Sequence, residues 1–285
     1  MDDTSGEQMI PADQAAVGRY YDSTIFDYEL KRLDRSPVEF SMTSRYLAHH
    51  VPPGAIVADI GVGAGHYAEF LARRGCTLYL VDISQRLLDS TMARLRKAGF
   101  EDAIAGTHRG TATNLSHLPA AGLDAAIMLG PLYHLLQQAE RQLAVQEAAG
   151  RLKPGGLLFA AGINRLSYLR DTLRDEPSDV IGRKHFHARF LLDGNLDPQH
   201  APPIGHAHLS TPAEFRQLFA ELLAEVSLVG LESFASTEES RLLDLTHEAR
   251  EEWLDLIEAT GRTPEGLAQS DHFLYIGRKR SLSPI

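Results

Sequence analysis

One nine-residue segment constrains this chain more than any other: Val57-Ala58-Asp59-Ile60-Gly61-Val62-Gly63-Ala64-Gly65. A short apolar run carries an aspartate near its end and passes into three glycines at alternate positions. Glycine lets the backbone turn sharply and approach a ligand with no Cβ in the way. A helical pattern over 66–74 follows, so the turn opens onto free helix N–H groups that favour an electron-rich ligand group. In an open α/β sheet the carboxyl end of such a strand is where ligands bind.

The flanking sequence supplies the sheet. Apolar runs at 56–60, 77–81, 103–105, 123–129 and 157–162 read as buried strands. Helices at 85–97, with Ser84 as N-cap, and at 139–152 fall between them. Alternation at this spacing predicts βαβ units and a doubly wound parallel sheet. Residues 1–15 read as disordered, with helical patterns after them and again at 38–50. Residues 164–210 break the rhythm: a helix near 166–174 leads into a loop-rich stretch, read as an insertion over the ligand edge. A helix at 211–224, a strand at 225–233, an amphipathic helix at 238–260 and a last strand at 272–277, suited to a sheet edge, complete the chain. The long helix with Trp253 reads as scaffold or dimer surface. The expected division is an N-terminal helical lid (1–50), a cofactor-binding α/β core (51–163), a substrate lid (164–210) and the rest of the core (211–285).

Composition removes several function classes. Lys and Arg number 28 against 38 Asp and Glu, a formal net charge of −10, which repels nucleic-acid backbones and anionic membrane faces. The single cysteine, Cys76, makes no internal disulfide and rules out multi-cysteine zinc sites within one chain. Residues 1–8 lack the basic start and apolar run of a secretory signal, and no stretch is long and apolar enough to span a bilayer. The expected setting is cytoplasmic, with the chain a monomer or homodimer.

Glycine spacing separates two kinds of nucleotide site. A dinucleotide fingerprint reads Gly-x-Gly-x-x-Gly; here the pattern is Gly-x-Gly-x-Gly, with Asp59 two residues ahead. This arrangement resembles the first motif of class I S-adenosylmethionine-dependent methyltransferases, in the small-molecule branch. The resemblance implies a seven-stranded doubly wound α/β sheet, six strands parallel and the last reversed. It implies that Gly61, Gly63 and Gly65 flank the amino-acid part of the cofactor, and that Asp59 positions the loop and the cofactor's ammonium. Asp82, ending the second strand, matches the residue that binds the ribose hydroxyls, and Ile83 would pack on the adenine. Segments 129–135, with Leu129 on the cofactor side, 151–156 and 270–274 look like further family motifs. In one departure, Thr111, followed by Ala112, stands where the family carries a carboxylate for the adenine amino group.

The implied reaction is methyl transfer from S-adenosylmethionine to an oxygen or nitrogen of a small-molecule acceptor. It needs alignment above all, and for an oxygen acceptor a base near neutral pKa. His134, after the fourth strand, is the candidate base, with Tyr133 beside it in the pocket. Tyr20 or Tyr21 matches an aromatic segment that closes over the sulfonium. Arg165 and His208 are candidate acceptor contacts. His185-Phe186-His187 and His206-Ala207-His208 invite a metal reading, but their spacing matches no metal signature, and no metal is expected. Two alternatives stand beside this: a non-catalytic S-adenosylmethionine binder, and a nicotinamide-dependent oxidoreductase, against which the glycine spacing counts.

Overall fold

The computed structural model describes residues 10–196 and 206–280. Helices α1 (Ala12–Ser23), α2 (Phe26–Glu29), α3 (Arg32–Arg35) and α4 (Pro37–His50) lead into the alternating core. The core continues as β1 (Ile56–Ile60), α5 (His66–Arg73), β2 (Thr77–Asp82), α6 (Gln85–Lys97), β3 (Ile104–Arg109) and β4 (Leu123–Met128). Then come α7 (Pro131–His134), α8 (Gln138–Arg151) and β5 (Leu152–Ile163). The inserted part holds α9 (Arg165–Asp175), α10 (Asp179–Gly182), α11 (Lys184–Asp193) and a ribbon of β6 (Asn195–Leu196) with β7 (Ala207–His208). The chain closes with α12 (Pro212–Phe219), β8 (Leu223–Gly230), α13 (His247–Gly261), α14 (Pro264–Gln269) and β9 (His272–Lys279).

The main sheet has seven strands in the order β3-β2-β1-β4-β5-β9-β8. Strands β1 to β5 pair in parallel, while β9 runs antiparallel to both β5 and β8. Six strands therefore share one direction and the last is reversed, as the resemblance implied. The strand order turns back between β1 and β4, and a cleft opens there at the carboxyl ends of the strands.

Apolar side chains fill both faces of the sheet. On one, Leu47 of α4, Leu71 of α5, Leu88 of α6 and Ile257 of α13 pack with Val57, Leu78 and Ile127. On the other, Val145 of α8 and Phe215 and Phe219 of α12 pack with Ile60, Ala126 and Leu158. Helix starts are capped locally. Ser84 Oγ accepts from Leu87 N–H at 3.0 Å. Thr211 and Glu214 make a reciprocal capping box at α12, with Pro212 in the first turn.

Several expectations are corrected. β9 lies inside the sheet, and β8 is the edge strand. The final strand's five middle residues are buried, and its polar residues fall at its ends, which still pair with the neighbouring strands. The expected helix at 238–260 is two elements, a 3₁₀ turn (Glu239–Asp244) and α13, because Thr246 caps a new helix by accepting from Ala249 N–H. Helix α1 starts at Ala12, within the stretch 1–15 expected to be disordered, of which 1–9 lie outside the described residues. Helix α12 stops at Phe219, five residues early, where the chain enters β8. The insertion is mostly helical, with its own small core of Phe186, Phe190, Leu196, Ala207 and Leu209. The proline-rich part of the loop expected there, 197–205, lies outside the described residues.

Candidate functional site

All three glycines after β1 adopt left-handed backbone, with φ of 78° at Gly61, 55° at Gly63 and 77° at Gly65. Space reinforces the requirement. A Cβ at Gly61 would sit 2.6 Å from Pro131 Cγ, and one at Gly65 would sit 2.7 Å from the Thr91 side chain. Thr91 Oγ1 also donates to the Gly63 carbonyl at 2.8 Å, which pins the loop to α6.

Two buried carboxylates stand behind this loop. Asp82 accepts from Gly63 N–H at 2.9 Å and from Ser84 N–H at 2.8 Å. Burial lifts its pKa to about 6 against those bonds. Asp59 is more isolated: its Oδ2 is buried with no partner, and burial, then the charge of Asp82, lifts its pKa to about 8. An unpartnered buried carboxylate oxygen is costly unless something else meets it.

The cleft around these groups measures about 990 Å³ including its open mouth. Asp59, the three glycines, Asp82, Ile83, Thr111, Ala112, Leu129, Tyr21, Tyr133 and His134 all line it, so the structure brings together every residue expected on the cofactor side. It adds three that sequence reasoning missed. Gln14, on α1, is buried and lines the cleft near Thr111; its Oε1 accepts from Thr113 Oγ1, which bonds Thr111 at 2.8 Å. Glu29, at the end of α2, brings Oε1 to 3.1 Å from where a Gly63 Cβ would stand. Arg32, on α3, holds Glu39 through two bonds of 2.6 and 3.2 Å and lies 3.5 Å from Glu29. Burial raises the Glu29 pKa despite Arg32. No local pattern marks these residues, because each reaches the cleft through an N-terminal helix folded back onto it.

His134 sits in the cleft wall with both ring nitrogens engaged. Nδ1 lies 3.0 Å from the His206 carbonyl, which fixes the proton there, and Nε2 accepts from the Tyr21 hydroxyl at 2.8 Å. Burial lowers its pKa to about 4, so the ring is neutral at physiological pH. Both ring nitrogens of the residue expected as base are thus engaged, Nε2 with Tyr21 and Nδ1 with His206.

A second cavity, about 1370 Å³ including its opening, adjoins the first. The two share Tyr21, Glu29, Arg32 and Tyr133, which stand between them. Its other walls come from α9, the start of β9 with Asp271 and His272, and the insertion ribbon with Leu196 and Leu209.

Three expected acceptor contacts fall elsewhere. Tyr20 lines neither cavity; its ring packs edge-on to Tyr21 at 6.2 Å. Arg165 is buried as a strut. Its guanidinium donates to the carbonyls of Leu209 and Leu191 and pairs with Glu214 at 2.6 Å, and the residue lines neither cavity. His208 is buried in the ribbon, where Nδ1 meets Asn195 Oδ1 at 2.8 Å; burial lowers its pKa to about 3. Among the described residues no group of three or more His, Cys, Asp or Glu could hold a metal ion.

Comparison with known proteins agrees with this geometry. Residues 57–156 match the family of the methyltransferase domain. A ubiquinone biosynthesis O-methyltransferase of Xylella fastidiosa (strain 9a5c) is 37% identical over 123 residues, 42% of this chain and 47% of the relative. The chain thus spans about half the length of the curated relatives it matches first. Among solved structures, the 1,6-didemethyltoxoflavin-N1-methyltransferase of Burkholderia thailandensis, with bound S-adenosylhomocysteine, superposes with a TM-score of 0.59 at 15% identity, over 96% of this chain and 92% of its own. The [4+2]-cyclase SpnF superposes with a TM-score of 0.56 at 16% identity, over 94% and 96%. At such identities the likeness establishes the fold, and the fold does not by itself choose the reaction.

Proposed function

We propose that this chain, whose residues 57–156 match the methyltransferase domain family, transfers a methyl group from S-adenosylmethionine to an oxygen or nitrogen of a small molecule. The observation that carries the reading is the shared wall: a cleft with a glycine loop and two buried carboxylates adjoins a second cavity across Tyr21, Glu29, Arg32 and Tyr133. Methyl transfer needs a donor site and an acceptor site that meet at one point, since alignment supplies much of the rate.

The residues present fit the cofactor. Asp59, with its unpartnered buried oxygen, and the open glycine loop suit its amino-acid part. Asp82 is placed for ribose hydroxyls, Ile83, Thr111, Ala112 and Gln14 for the adenine, and Leu129 and Tyr21 for the sulfonium side. When bound, S-adenosylmethionine supplies an electrophilic methyl on a good leaving group. The chain's own part is orientation and proton handling. His134 holds the Tyr21 hydroxyl by accepting its proton in a hydrogen bond, which aims the oxygen lone pairs of Tyr21 away from the ring. Glu29, buried enough to have a raised pKa and facing both cavities, takes the acceptor's proton at its carboxylate. The N-terminal helices and the 164–210 insertion serve as the acceptor's lid. An unpaired, buried Cys76 supports a cytoplasmic setting, and no helix among the described residues is long and apolar enough to cross a membrane.

Calorimetric titration with S-adenosylmethionine, S-adenosylhomocysteine and NAD tests the reading, followed by a labelled-methyl assay on phenols and amines. We expect the two sulfur nucleosides to bind and NAD not to. Asp82→Ala should weaken S-adenosylmethionine by about 1.5–3 kcal/mol, the range for hydrogen bonds to a charged group. Binding of NAD alone would overturn the proposal. A second reading, a binder without turnover, draws support from Thr111 in place of a carboxylate; it predicts cofactor binding with no methyl transfer to any acceptor.

A further inference from the structure

We infer that Glu140, acting through Gln14 and Thr113, makes the Thr111 hydroxyl an acceptor-only group that reads the amino group of the cofactor's base. The inference rests on the methyltransferase reading and names the residues of α1 and α8 that give its donor site base selectivity.

Four side chains form one line of hydrogen bonds with a fixed direction. It starts at Glu140 on α8, whose carboxylate can only accept. Gln14 Nε2 donates to Glu140 Oε1 at 2.9 Å, which leaves the amide oxygen at the other edge. That oxygen takes a longer bond, 3.5 Å, from Thr113 Oγ1. Thr113 Oγ1 lies 2.8 Å from Thr111 Oγ1, a distance at which either hydroxyl could donate. A hydroxyl has one proton. With the Thr113 proton on Gln14, Thr111 gives its own to Thr113, and Thr111 Oγ1 keeps only lone pairs for a further partner.

The charge on Glu140 selects this direction. Turning the Gln14 amide over would set its oxygen against the carboxylate, two acceptors with no proton between them. It would also aim the amide N–H at Thr113. Thr113 would then be free to donate to Thr111, and Thr111 would offer a proton where it now offers lone pairs.

Helix α1 carries the line to the right end of the cleft. Gln14, 5% exposed, lines the cleft together with Ile83, Thr111 and Ala112. Gln14, Gly18 and Tyr21 recur at helical spacing and share one face of α1. Gly18 seats that face on the end of β2: a Cβ there would stand 3.2 Å from Ile83 Cγ1 and 3.3 Å from the Ile83 carbonyl oxygen. Seven residues of helix separate Gln14 from Tyr21 by roughly 10 Å, so the face runs from Thr111 at one end to His134 at the other. An adenine amino group donates two protons and needs an acceptor oxygen. The carboxylate expected from sequence at position 111 is thus supplied at a distance, by Glu140. A line of bonds that only pinned α1 would end at Gln14; this one runs on to a residue of the cleft wall.

Calorimetric titration with S-adenosylhomocysteine and S-inosylhomocysteine tests the assignment, since the second carries a carbonyl where adenine has its amino group. The wild type should bind the adenosyl compound about tenfold or more tightly, because in the inosyl complex two acceptors face each other. Thr111→Val keeps the shape of the side chain and removes its oxygen, and should bring the ratio within about threefold. Glu140→Gln lets the Gln14 amide take either orientation and should lower the ratio with Thr111 in place; Thr111→Asp should keep it. A purely structural role would weaken both compounds alike and leave the ratio unmoved. A wild-type ratio near one, or the full wild-type ratio in Thr111→Val or in Glu140→Gln, overturns the inference and leaves the methyltransferase reading standing. Glu140→Gln, remote from the cofactor loop, decides if the Thr111 variant does not fold. Binding of neither compound would sink the methyltransferase reading and the inference with it.

Discussion

Two carboxylates, Asp59 and Asp82, lie buried together at the carboxyl ends of β1 and β2, and they set how the free protein responds to pH. An unfolded aspartate releases its proton near 3.8, whereas folded Asp59 keeps it to about 8 and Asp82 to about 6. Between those limits the folded state binds more protons than the unfolded one, so these groups make stability fall as pH rises. We expect the melting temperature of the unliganded protein to drop between pH 5 and 7, and Asp59→Asn to flatten that slope. His272 adds to the decline only above about 6.5, where its unfolded form begins to lose charge. An unchanged slope in the variant would remove Asp59 from the account. Glu29 gives a second prediction. Glu29→Gln should lower kcat by roughly 10²–10⁴-fold, the usual contribution of a proton acceptor, with cofactor affinity kept; if affinity falls and kcat holds, Glu29 grips the cofactor instead. Asp59 and Asp82 were legible in sequence because a strand ending and a glycine turn are local. Glu29 and Gln14 were not, because what makes them matter is a neighbour far along the chain, such as Glu140 for Gln14, 126 residues away.

At the scale of elements, one buried side chain ties the insertion to the core at three points. Arg165, directly after β5, ties α11 through the Leu191 carbonyl, the segment after β7 through Leu209, and α12 through Glu214. Sequence reading placed it in the acceptor site, since residues past a strand's carboxyl end face ligands. It missed the cage of carbonyls, which forms only once α9 and α11 pack together. Arg165→Ala leaves those carbonyls unmet and should cost about 1–3 kcal/mol, a range for unsatisfied buried groups. Glu214 is half-exposed, so its ion pair adds little. Because α9 and the ribbon wall the second cavity, KM for an acceptor should rise while cofactor affinity holds. A variant with wild-type melting and KM would show that the insertion stands without this strut. The strands and helices of the core were legible because period and caps are local signals. The inner position of β9 was not, because its neighbours are decided by the order of the sheet.

For the whole molecule, the consequence is a partly covered cleft. Helices α1 to α3 lie across the cleft, carrying Gln14, Tyr21, Glu29 and Arg32 into its walls. Leu33 joins the core and Arg32 holds Glu39, and further contacts fasten the segment nearer the rim. Asp22 takes the Ser84 hydroxyl and the Arg86 N–H, Arg86 covers the Phe26 ring at 3.6 Å, and Gln14 donates to Glu140 at 2.9 Å. These are few contacts for three short helices, and we expect the segment to open at lower cost than the sheet. A cofactor reaching Asp59 and Asp82 must pass it, and once seated gives Tyr21 and Gln14 a partner on their inner side. Binding should therefore slow amide hydrogen exchange over residues 11–35 more than over β1 to β5, which are protected already. Exchange followed by mass spectrometry with and without S-adenosylhomocysteine reads this directly. Equal protection of the segment in both states would mean that the helices are a fixed wall and the cofactor enters through the second cavity, with Tyr21, Glu29, Arg32 and Tyr133 as its gate.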